Sequence, residues 1–106
     1  MLAVKEELTV ALLNALQTAR SNGEIDYAEI PKFAVERPPH HSFGDYATNL
    51  AMMLGKQIKR NAIEVANIIV KHLKFDTGLV ERVEVAGSGF INFYLRSGWL
   101  WDVVRQ

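Results

Sequence analysis

Apolar side chains recur at Val4, Leu8, Leu12, Ala15, Leu16 and Ala19, steps of three and four that line one face of a helix across residues 2–22. Ser21-Asn22-Gly23 then supplies residues suited to the left-handed turn that ends helices. The alternation changes at Lys32 to Arg37, where Phe33 and Val35 share one side of a short predicted strand that Pro38-Pro39 stops. A loop is expected from Pro38 to Phe43. Ser42 with Asp45 three residues on, ahead of Ala47, Leu50, Ala51, Leu54 and Ile58, reads as a capped second helix, with Asp45 as an alternative cap. Asn61 and Glu64 repeat that logic for a third helix, whose buried stripe is Ala62, Ala66, Ile69, Val70 and Leu73. Lys71, His72 and Lys74 fall at its end, where the helix dipole favours positive charge.

Beyond Gly78 the period becomes two. Leu79 to Ala86 reads as a strand with Val83 and Val85 on one side and Arg82 and Glu84 on the other. Gly87-Ser88-Gly89 then turns it back onto Phe90 to Leu95 as a hairpin. Ser97 can cap a last helix containing Trp99 and Val103. A further strand near residues 39–43 is not secured by the pattern. The expected architecture is α+β in two layers, a small antiparallel β-sheet covered on one face by helices.

The chain has 106 residues and no cysteine, which suits one domain without disulfides or thiolate metal sites. Twelve Lys and Arg balance twelve Asp and Glu. Nonspecific binding to polyanions runs on an excess of basic charge, so any contact with nucleic acid is expected to be local or shared with another domain. No apolar run approaches the ~20 residues of a membrane-spanning helix, and the N-terminus lacks a signal-peptide pattern, so a cytoplasmic location is expected. Residues 1–96 read as the domain. Residues 97–106 read as the first turns of a helix leading to an absent catalytic domain, so a piece of a longer protein is expected.

Chemistry concentrates in the last hairpin. With Ile91, Phe93 and Leu95 inward, Phe90, Asn92 and Tyr94 share the outer face of their strand, and the expectation is that all three meet solvent. A ring beside a carboxamide suits an unpaired nucleobase, stacking on its plane and bonding its edge. The plainer alternative is a second packed layer in which the rings are core and the amide caps something. Lys56, Lys59 and Arg60 form a basic cluster that is either a solvated helix end or a phosphate-contacting patch. Trp99 and Trp101, two apart, cannot share a helix face, and one is left for a partner domain. His40, His41 and His72 do not have ligand spacing for a metal. No nucleophile has a base and an orienting partner. The glycines at 87 and 89 lie between strands, without the helix-terminus amides of a phosphate cradle.

Two segments go beyond generic patterning: Phe43-Gly44-Asp45-Tyr46-Ala47-Thr48-Asn49-Leu50-Ala51-Met52 and Val83-Glu84-Val85-Ala86-Gly87-Ser88-Gly89-Phe90-Ile91-Asn92-Phe93-Tyr94-Leu95. Together they resemble the N-terminal additional domain of arginyl-tRNA synthetases, and the likeness spans essentially the whole chain. Ser88 departs from the proline of many relatives, which leaves the turn less rigid. The resemblance implies a noncatalytic module that holds the D-loop at the corner of tRNA(Arg) while the rest of a class I arginine–tRNA ligase charges the 3′ end. Carried over by position, the contacts to a D-loop base fall on Phe90 and Asn92, with Asn49 a weaker candidate; Tyr94 on the same strand face and the Lys56, Lys59 and Arg60 cluster, read from the residues themselves, complete the tRNA-binding candidates. Gly44-Asp45-Tyr46 is assigned to helix initiation and packing. The family's His-Ile-Gly-His-like element and lysine-rich signature loop are absent from these residues, so no cofactor is expected in this fragment, and ATP with Mg is expected in a monomeric parent enzyme. The competing reading is a structural interaction domain that docks onto its own catalytic domain or a partner chain.

Overall fold

The computed structural model describes residues 3–40, 43–75 and 78–96. In chain order these form α1 (Val4–Ser21), β1 (Val35–Glu36), β2 (Tyr46–Thr48), α2 (Leu50–Ile58), α3 (Ala62–Lys71), β3 (Val80–Ala86) and β4 (Phe90–Leu95). The four strands form one antiparallel sheet in the order β1-β2-β4-β3. The helices pack on one of its faces, which is the expected two-layer α+β arrangement. No helix among the described residues is long and apolar enough to cross a membrane.

The stripe read from α1 is buried in full: Val4, Leu8, Leu12, Ala15, Leu16 and Ala19 all lie in the core, joined by Ala11. Gly23 takes a positive φ just past the helix end. In α3 the Asn61 side chain accepts hydrogen bonds from the Ile63 and Glu64 amides, the expected cap. Val65, Ala66 and Ile69 are buried there; Ala62 and Val70 are only half-buried, and Leu73 lies beyond the last turn. Leu50, Ala51 and Leu54 of α2 close against Ile91, Phe93 and Leu95 of β4.

The second helix corrects the sequence reading. It starts at Leu50, and Tyr46-Ala47-Thr48 is the central strand β2, pairing β1 on one side and β4 on the other. Asp45 does not cap a helix. Its main-chain N–H donates to the Phe93 carbonyl at 2.8 Å, and its carboxylate accepts from the Leu95 N–H at 2.7 Å. The side chain thus stands in for a strand residue and satisfies an amide that β2 is too short to reach. Gly44 precedes it at φ +93°, and a Cβ there would sit 2.8 Å from the Phe93 carbonyl oxygen. Both constraints exclude a side chain. The described residues among 39–43 form no strand, and the additional strand is Tyr46–Thr48, inside the segment read as helix. The strand expected over Lys32 to Arg37 shrinks to Val35–Glu36. Ser42 and the expected helix of Ser97, Trp99 and Val103 lie outside the described residues.

The turn packs tightly on the helical layer. A Cβ on Gly89 would meet the Ala62 Cβ at 2.8 Å, and the Ser88 hydroxyl lies 3.3 Å from the Met52 sulfur. Glu24, in the connection after α1, ties three elements together. Its carboxylate pairs with Lys71 and His72 at the end of α3, and its carbonyl accepts from the Arg60 guanidinium at 2.6 Å. The Lys71 and His72 contacts hold the Glu24 carboxyl well below the ordinary range, at about 2.

Candidate nucleic-acid interface

The face of the sheet turned away from the helices carries the alternate residues. Register fixes which they are. Thr48, Ile91 and Val85 lie opposite one another toward the helices, and the next row, Glu36, Ala47, Asn92 and Glu84, lies on the far face. Phe90 pairs with Ala86 and Tyr94 with Arg82 on that same far face. The alternation read from the sequence is therefore the alternation of the fold, with Ile91, Phe93 and Leu95 buried among the helices.

Exposure differs from the expectation. Phe90 is 42% exposed, whereas Asn92 is only 3% exposed. From Arg37 to Pro39 the chain crosses this face, and a cleft of about 570 Å³ lies between that crossing and the hairpin. Ala47 and Asn92 line it with Phe90, Ala86 and Gly87 from the hairpin, Phe43 and the two prolines from the crossing, and Glu36 and Asn49 from the strand ends. Asn92 is thus held within a recess, and its presentation to open solvent is corrected. Among the described residues its carboxamide has no hydrogen-bonding partner. Leaving a buried amide unpaired costs about 1–3 kcal/mol, which makes such a group in a cleft wall a place where a ligand's polar edge would be stabilised.

Phe43 is as exposed as Phe90, at 47% against 42%, so the cleft carries two accessible rings. Asn49 lines the same space with its oxygen already committed, since its Oδ1 accepts from the Ala34 N–H at 2.9 Å. That bond fixes the amide orientation and directs only donor capacity elsewhere.

The other sequence candidates are not gathered here. Tyr94 does not line the cleft; the Arg82 guanidinium lies 3.9 Å from its ring centroid and covers one face of it. Lys56, Lys59 and Arg60 sit at the end of α2 and the α2–α3 junction, beside the hairpin tip that packs on Ala62. Of these, Arg60 is engaged, bonding Glu64 as well as the Glu24 carbonyl. Lys56 and Lys59 are exposed. Among the described residues no group of three His, Asp or Glu could hold a metal ion.

Sequence reasoning missed Phe43, Glu36 and Ala47 as neighbours of Asn92. The first was read as loop, the second belonged to a strand of unknown partner, and the third was assigned to a helix. The single available signal was the ring of Phe43 among prolines, histidines and a glycine, where no core residue is expected.

The model of the arginyl tRNA synthetase N terminal domain matches residues 4–95. An arginine–tRNA ligase of Moorella thermoacetica is 47% identical over 100 residues, covering 94% of this chain and 18% of that protein. One of Desulforamulus reducens is 42% identical over 101 residues, covering 95% and 18%. The solved structure of Thermus thermophilus arginyl-tRNA synthetase superposes with a TM-score of 0.76 at 23% identity, over 98% of this chain and 16% of that one. The crystal structure of arginyl-tRNA synthetase from Plasmodium falciparum gives 0.71 at 17% identity over 98% and 18%, so the fold persists where little sequence does. The chain spans about 18% of the length of the curated relatives it matches. From Val4 to Leu95, this chain belongs to the arginyl-tRNA synthetase N-terminal domain family.

Proposed function

We propose that this domain is the noncatalytic tRNA-binding module of an arginine–tRNA ligase, and that the cleft beside Phe90 receives an unpaired base from the D-loop of tRNA(Arg). The observation that carries the reading is the unpartnered Asn92 carboxamide, 3% exposed, in a cleft that also holds an exposed ring two residues away. Phe90 stacks on the base and Asn92 bonds its edge. Asn49 adds a donor, and Lys56 and Lys59 contact phosphates beyond the hairpin tip, with Arg60 and Tyr94 in supporting positions. Family membership and the ligase identity of the curated relatives support the same reading.

Catalysis would belong to the remainder of a cytoplasmic, monomeric ligase, which uses ATP with Mg on a nucleotide-binding domain reached through residues 97–106. With no net charge, the isolated domain holds tRNA weakly, at a Kd on the order of 10⁻⁴ M or above at physiological salt. Its contribution grows when tethered to other RNA-binding surfaces. Arginylation by the full-length enzyme tests the assignment: Phe90→Ala and Asn92→Ala should each lower kcat/KM for tRNA while leaving the KM for ATP unchanged. Wild-type kinetics in both variants would remove it.

A further inference from the structure

The cleft contains one charged acceptor that this reading does not use. Glu36, Ala47 and Asn92 stand opposite one another on three adjacent strands, so their side chains leave the same face. At the usual strand spacing the outer two α-carbons are about 10 Å apart, with only the methyl of Ala47 between them. All three line the cleft. Glu36 is exposed and, among the described residues, makes no ion pair and no side-chain hydrogen bond.

A carboxylate so placed is poorly suited to a phosphate, which it repels. It suits a ligand group that donates, because an ionised carboxylate accepts hydrogen bonds and gives none. The carboxamide across the floor has the opposite character: it carries both a donor and an acceptor, and by turning over it can match either polarity. Asn92 alone therefore binds a base edge without strongly choosing among bases. An acceptor that is always negative, on the other wall, would supply the choice.

We propose that Glu36 is a specificity-determining residue of this cleft, selecting a nucleobase that turns an amine or other donor-rich edge toward β1 while Asn92 bonds the remainder. Adenine and cytosine offer an exocyclic amine, and guanine an adjacent N–H and amine. Uracil places carbonyl oxygens on both sides of its single N–H, and one of these would face the carboxylate. The inference rests on the tRNA-binding reading above, and its test separates the two.

The experiment is arginylation by the full-length ligase of transcripts carrying A, G, C or U at each unpaired D-loop position in turn. The wild-type enzyme should show one position where U lowers kcat/KM by about tenfold, within the usual range for a wrong base. Glu36→Gln should bring all four transcripts at that position to within about twofold of one another, since a carboxamide can donate to a carbonyl as well as accept. Asn92→Ala should lower all four. A Glu36→Gln enzyme that keeps the wild-type ratios overturns the proposal. So does one that gains equally with every transcript, because that pattern is removal of simple repulsion, and so does a wild-type enzyme indifferent to base at every position. Unchanged charging in both Phe90→Ala and Asn92→Ala would instead remove the tRNA reading beneath it.

Discussion

Phe93 and Asn92 are neighbours on β4 with nearly equal burial, at 0% and 3% exposed, yet they belong to opposite faces of the sheet and to different kinds of interior. Phe93 meets the helices and packs edge-on against Phe75 at 6.3 Å between centroids. Asn92 faces the recess formed by the Pro38-Pro39 crossing, with no polar partner for its amide. On the first face every contact is supplied by the chain itself, so burial there stabilises the fold. On the second the chain leaves a polar group without a protein partner and two rings exposed, which is the arrangement the proposed base-binding role uses. Low exposure alone does not distinguish core from site; the presence of partners does.

This contrast can be broken most sharply at Phe93. Phe93→Ala should lower the unfolding free energy by about 3–5 kcal/mol, the usual range for a buried ring, read by denaturant titration of this chain. A loss under about 1 kcal/mol would show that the helix-covered face is not the stabilising one. Gly44→Ala comes next. Its positive φ costs about 1–2 kcal/mol for a residue with a Cβ, and the 2.8 Å contact with the Phe93 carbonyl adds to that.

The opposite face should respond in the opposite sense. Asn92→Ala is expected to change stability by no more than about 1 kcal/mol, because it removes an unpaired buried amide and no hydrogen bond among the described residues. Phe90→Ala should be similarly mild in stability while costing the full-length ligase about 1–3 kcal/mol of stacking, roughly 5- to 150-fold in kcat/KM. If Asn92→Ala unfolded the domain, the two faces would not differ in kind.

The smallest effect lies away from both faces. The folded Glu24 carboxyl titrates at about 2 against an ordinary 4.5, so its contribution to stability is complete above pH 4.5 and is lost as pH falls toward 2. Glu24→Gln should flatten that part of the acid-unfolding curve without altering the cleft. Equal acid slopes in both proteins would show that the tie from Glu24 to Lys71 and His72 contributes nothing.

The periodic elements were legible because each reports its own environment. The α1 stripe, the Asn61 cap and the β3–β4 hairpin need only local spacing and turn chemistry, and the fold keeps them. Gly44-Asp45-Tyr46 was misread because its chemistry is long-range: an acid after a serine resembles a helix cap until β4 is alongside to receive its bonds. A strand of three residues also carries too little alternation to announce itself.

Unaided, the order of residues determined which side chains share a face on β4, because alternation is a property of the extended backbone itself. It also carried the family resemblance, through the two segments around Gly44 and Gly87. Only tertiary structure decided what covers that face. Whether Asn92 meets water or lies within a cleft, and whether Glu36 and Phe43 are its neighbours, depends on segments far apart along the chain that meet only when β1, β2 and β4 pair.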